Sequence, residues 1–180
     1  MEAVSIGLVI ALAAVLAAEF VNGWTDAPNA IATVVSTNVM TPRHAIVMAV
    51  VLNTVGAASG TAVAATVGKG IVAASALTLP AITATMVAII SWGSFAARVG
   101  IPVSKSHALL AGLAGAALAG GGFGALQWEG WMKVAVGLGC SLGLGLGSAY
   151  ALGRLIMVTA ANAQPARAKR AFDRAQTLSA

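Results

Sequence analysis

The sequence is poor in charge, in aromatic residues and in cysteine. Of 180 residues only 8% are Asp, Glu, Lys or Arg and 5% are aromatic, against 59% hydrophobic, and the mean hydropathy is +0.92. So little charge excludes an ordinary soluble domain, in which about a quarter of the residues are charged. Aqueous catalysis becomes a secondary reading. The single cysteine, Cys140, excludes an internal disulfide; in its Gly-rich apolar run it reads as a packed thiol, neither redox group nor metal ligand. The first 40 residues contain no Lys or Arg, and no small-residue cleavage site follows a charged n-region. The N-terminus therefore does not read as a signal peptide and is expected to be retained as structure.

What charge there is lies unevenly. The net charge is +5, but five of the ten basic residues, Arg154, Arg167, Lys169, Arg170 and Arg174, lie beyond residue 153. Such a cluster fits a cytoplasmic flank near anionic lipid better than a nucleic-acid surface, so no nucleic-acid partner is expected.

Apolar stretches run at 4–38, 44–67, 76–97, 103–121 and 131–158, separated by "TPRH", "GKG", "RVGIP" and "GGGFGALQWEG". This gives an all-α membrane protein with about five hydrophobic segments: a transmembrane unit over residues 1–158 and a basic cytoplasmic linker or tail over 159–180. Each segment is long enough to cross a hydrocarbon core of roughly 30 Å, and the first is too long for one straight crossing. Segments three and four are either two spans or a re-entrant hairpin turning at "RVGIPVS". Both options leave an odd number of crossings. With the basic tail cytoplasmic, the N-terminus is outside and Arg43 falls inside, as the positive-inside rule prefers. Small residues recur at helical spacing (Gly56, Gly60, Ala64; Gly112, Ala116, Gly120; Gly139, Gly143, Gly147), the pattern of helix packing without chemistry. The tail reads as a linker or a basic surface helix.

Within the first segment Glu19, Asn22, Asp26, Asn29, Thr33 and Ser36 follow one another at intervals of 3 or 4, along one helical face. A carboxylate near the bilayer centre costs at least about 2.5 kcal/mol, so that face is expected to meet a partner, a cavity or an ion rather than lipid. Pro28 has no N–H to offer the carbonyl of Trp24, and Gly23 tolerates non-helical dihedrals. A broken first helix is therefore expected at 23–28. Its freed carbonyls, with Asn22, Gly23, Trp24, Asp26 and Asn29 around them, would offer hard oxygen ligands to a small cation such as Na⁺.

The second constellation is "GIPVSKSHALLAGLAG", residues 100–115. Ser104 reads as the N-cap of an apolar helix, so free N–H groups, the hydroxyls of Ser104 and Ser106, and Lys105 or His107 gather at one positive helix end. That combination favours phosphate or carboxylate.

Together the two motifs resemble those of the inorganic phosphate transporter (PiT) family. Gly23, Asp26, Asn29 and Ala30 match its Gly-x-x-Asp-x-x-Asn-Ala element, and Pro102, Ser104, Ser106 and His107 its Pro-x-Ser-x-Ser/Thr-His element. The resemblance implies a secondary transporter, not an enzyme: import of inorganic phosphate coupled to Na⁺ or H⁺ across the cell membrane, without an organic cofactor. Asp26 and Asn29 would lie near cation and anion, with Ser104 and Ser106 donating to phosphate. Lys105 and Thr25 occupy variable positions. Family members carry two inverted copies of this unit, whereas neither motif recurs here. The chain therefore resembles one inverted-repeat unit, the N-terminal half, requiring a second repeat or a second subunit in a homo-oligomer. The family includes sulfate carriers. A channel lined by half-helices is the rival reading; a Ser106–His107 hydrolase is disfavoured because helical neighbours point about 100° apart.

Overall fold

The computed structural model describes residues 5–59, 70–161 and 165–179. They form helices α1 (Ile6–Ser36), α2 (Pro42–Ser59), α3 (Leu79–Val99), α4 (Lys105–Gly121), α5 (Trp128–Ala160) and α6 (Pro165–Ser179), with short 3₁₀ turns at Ala74–Ala76 and Phe123–Ala125. The chain is an all-α membrane protein. By length and composition α1, α3 and α5 can each cross a bilayer. α2 carries Arg43 and His44 in its first turn, and the rest of its apolar segment, with Gly60, Ala64 and Lys69, lies outside the described residues. α4 has 17 residues, about 26 Å of helix, slightly short of the hydrocarbon thickness.

α1 corrects the expectation of a break. It is a continuous 31-residue α-helix with Pro28 inside it. Proline removes only the donor that Trp24 would have used, and unwinding further residues would strand more backbone groups in lipid, where nothing replaces their bonds. A Thr25 hydroxyl bond to the Val21 carbonyl, 2.7 Å, ties down the turn before the proline. The carbonyl of Gly23 therefore stays directed at the Ala27 N–H and is not a free ligand, whereas that of Trp24, opposite Pro28, lacks its helical partner.

The chain divides into two units, Met1–Asn29 with Asn53–Trp131, and Ala30–Leu52 with Met132–Ala180. In the first, α3 and α4 form an antiparallel hairpin. Thr85, Ile89, Gly93 and Ala96 are the buried residues of α3, and Leu113 and Ala117 those of α4. Contact is close because Gly112 presents only hydrogen: a Cβ there would lie 3.0 Å from Thr85 Cγ2. At the open end of the hairpin the two flanking segments join. Val72 and Leu126 form an antiparallel bridge, with Ala73 N–H bonded to Ala125 O at 2.8 Å and Gln127 N–H to Ile71 O at 3.0 Å. Beside it a Cβ on Gly130 would strike the Gly70 carbonyl. α1 runs alongside α3 in step, Gly7 next to Leu79 and Val21 next to Gly93.

In the second unit Asn38 takes a left-handed φ of 58° to end α1, and Pro42 opens α2 behind Thr41, whose hydroxyl meets His44 Nδ1 at 2.8 Å. The tail is a helix, the second of the two readings. Ala168, Ala171, Phe172 and Ala175 share one face of α6, and Lys169 pairs with Asp173 at 2.8 Å. Gln176 accepts from the Thr37 hydroxyl at 3.1 Å. The window of α5 that spans best has no buried residue, and open space adjoins Gly139, Gly143 and Gly147, so its small face meets nothing among the described residues.

Candidate functional site

The site is built at the tip of the α3–α4 hairpin. α3 ends because Gly100 adopts φ 72°, a conformation that glycine takes without strain, placing its N–H on the carbonyls of Ala96 and Ala97. Ile101 closes the turn onto Ala96 O at 2.9 Å, and Pro102 prevents the helix from resuming. Ser104 then caps α4 as expected: its Oγ accepts from the His107 N–H at 3.3 Å, and its carbonyl accepts from Ala108 N–H at 3.0 Å. The hydroxyl proton of Ser104 remains available to a ligand. The N–H groups of Lys105 and Ser106, in the first turn, have no acceptor within the helix.

Alongside the tip runs the polar face of α1. Asn29 Nδ2 donates to Asp26 Oδ1 at 3.4 Å, one turn apart, leaving the second carboxylate oxygen and Asn29 Oδ1 as outward acceptors. Both residues are exposed in the single chain. A cleft of about 550 Å³ lies between the two elements, lined by Trp24, Asp26 and Asn29 of α1, Gly93 of α3, and Pro102 and Lys105 of the tip. That size is in the range of small-ligand sites.

The expected site residues do not share one space. Trp24, Asp26, Asn29 and Lys105 meet in this cleft. Glu19, Asn22, Ser106 and Lys105 line a smaller one of about 200 Å³, where Asn22 Oδ1 is buried with no hydrogen-bond partner. Ser104 and His107 open onto an apolar groove with Trp92 and Ala88. Helical geometry explains the division, since successive residues from 104 to 107 diverge around the start of α4. Gly23 lines none of the three.

Gly93 is the residue that sequence reading missed. A Cβ there would lie 3.2 Å from Lys105 Cε and 3.5 Å from both Lys105 Nζ and Val21 Cγ1. The lysine stem crosses α3 through the space that glycine leaves. The only sequence signal was an isolated glycine in the run "ISWGSFAA".

Comparison with known proteins shows the family of the chain. The phosphate transporter family profile matches residues 22–178. The "Probable low-affinity inorganic phosphate transporter" of Bacillus subtilis is 38% identical over 167 residues, covering 92% of this chain and 50% of that protein. The Streptomyces halstedii protein of the same name is 41% identical over 185 residues, covering all of this chain and 84% of its own length. That of Mycobacterium bovis is 41% identical over 123 residues, 68% of this chain and 30% of the relative. The chain thus spans half of the Bacillus relative, and no solved structure matches it. With both motifs inside the matched span and the profile covering most of its length, the chain belongs to the phosphate transporter family.

Proposed function

We propose that this chain forms one repeat of a secondary transporter that carries inorganic phosphate across the cell membrane together with Na⁺ or H⁺. The observation that carries the reading is the cleft in which Asp26, Asn29 and the start of α4 come together. A carboxylate beside an anion-attracting helix end suits joint binding of cation and anion, because each reduces the cost of holding the other away from water. Asp26, Asn29 and the Trp24 carbonyl are the cation ligands in that cleft, with Asn22 a further acceptor in the adjoining one; if Na⁺ is the coupling ion, Asp26 and Asn29 are the ligands that hold it. Ser104, Ser106, Lys105 and His107 ring the start of α4 and are the donors proposed for phosphate at that helix end, although they are divided among three clefts.

The exposure of Asp26 and Asn29 supports a polar partner surface, either a second inverted repeat or a second subunit in a homo-oligomer. The tail is cytoplasmic and the N-terminus outside, supported by the clustering of basic residues after residue 153.

The test is uptake of radiolabelled phosphate into proteoliposomes by the complete assembly, with Na⁺ and pH gradients varied separately and sulfate as competitor. Saturable uptake driven by one of the gradients is expected. Unsaturable flux without cation dependence would replace the transporter by a channel, and preferential uptake of sulfate would change the substrate.

A further inference from the structure

We infer that Lys105 is a tethered cation that takes the place of one coupling ion in the transport cycle; this rests on the cation-coupled phosphate reading above. Lys105 is the side chain common to two clefts, one lined by Asp26 and Asn29, the other by Glu19, Asn22 and Ser106. Glu19 and Asp26 are seven residues apart on α1, two turns along one face, so the lysine serves a stretch of helix with a carboxylate at each end. Its stem lies over Gly93, where any larger residue would press on Cε. The stem is thereby held while the ammonium at its flexible end can turn toward either cleft.

The smaller cleft holds an unpartnered acceptor. Asn22 Oδ1 is buried and accepts no hydrogen bond. A buried acceptor of this kind calls for a donor or a cation, and the flanking Glu19 carboxylate favours a positive one. Lys105 is the basic side chain lining that cleft. Being covalently tethered, it needs no entry from solvent to reach that acceptor.

Charge balance turns this geometry into a prediction. Two carboxylates and an incoming phosphate must be largely neutralised before they can be held away from water. A fixed positive charge removes the need for one mobile cation, whichever cleft it faces. A lysine that only donated hydrogen bonds to phosphate would alter affinity without altering the number of ions.

The experiment measures cations carried per phosphate, from reversal potentials or paired isotope fluxes, in proteoliposomes containing the complete assembly. Lys105→Met is expected to raise the ratio by one cation per phosphate, and Lys105→Arg to leave it unchanged. An unchanged ratio in Lys105→Met, with phosphate affinity lowered, would overturn the inference and make Lys105 a phosphate ligand alone. Should Lys105→Met not transport, the slope of phosphate binding against cation concentration in purified protein gives the same count, with Lys105→Ser as a second variant; an unchanged slope in both overturns it too. Failure of the unaltered protein to show cation-dependent phosphate binding would instead remove the symport reading itself.

Discussion

Asn29 holds the carboxylate of Asp26 by a side-chain hydrogen bond of 3.4 Å along the same helix. The pair works as one oxygen-rich unit lining the cleft: the amide engages one carboxylate oxygen and leaves the other free to accept. Asp26→Asn removes the charge while keeping the shape, and is expected to abolish cation-dependent uptake. Asn29→Ala leaves the charge but frees its orientation, with an expected loss of about 0.5–1.5 kcal/mol in cation affinity, roughly two- to tenfold. Cation titrations of phosphate uptake check both; normal coupling in Asp26→Asn would refute the assignment.

Ser104 and Ser106 separate by role. Because Ser104 caps α4, Ser104→Ala is expected to cost about 1 kcal/mol of stability, and Ser104→Asn to restore it. Ser106 is not used as a cap, so Ser106→Ala should leave the melting temperature unchanged while weakening phosphate binding about ten- to a hundredfold, the worth of one hydroxyl donor to a charged ligand. Thermal unfolding paired with phosphate titration distinguishes them. Recovery of phosphate affinity along with stability in Ser104→Asn would reduce Ser104 to a structural cap.

Added volume has nowhere to go at Gly112 in the hairpin and at Gly130 near the start of α5. Gly112→Val places methyl groups against Thr85, which is buried and whose hydroxyl is bound to the Ala81 carbonyl at 2.9 Å. Gly130→Ala sets a Cβ against the carbonyl of Gly70, a backbone atom that cannot rotate away. Each is expected to destabilise by about 1–3 kcal/mol. Gly139→Ala, with open space beside it, is the control within the isolated chain. Equal melting temperatures for all three in detergent would contradict the packing described.

Topology gives the fourth prediction. A cysteine at Thr177, exposed on α6, in a Cys140→Ala background should react with a membrane-impermeant maleimide from the cytoplasmic side alone. Labelling from both faces would point to copies inserted in opposite orientations.

Local features of the hairpin were legible in the sequence because they depend on neighbouring residues. Gly100 and Pro102 set the turn, Ser104 the cap, and the apolar run at 103–121 foretold α4 at Lys105–Gly121. Continuity of α1 was not legible: the penalty for Pro28 is local, whereas the penalty for unwinding depends on what solvates the exposed backbone. The distribution of Ser104, Ser106 and Lys105 among three clefts depends on where α1 lies against the tip, a relation between residues some 80 positions apart. Gly93 was hidden for the same reason. Its meaning comes from Lys105, which approaches it from another helix.

The clasp formed by Val72 and Leu126 has a mechanical consequence. Its feet are tied together and Gly112 holds its two helices in close contact at Thr85, so the α3–α4 hairpin is braced at its base and along its shaft. A small rotation at the clasp is carried over about 30 Å of helix to Gly100 and Lys105, where it becomes a displacement several times larger. A tilt of the tip would therefore require no helix to unwind, only that the bond between Ala73 and Ala125 at the opposite end of the hairpin give way or bend.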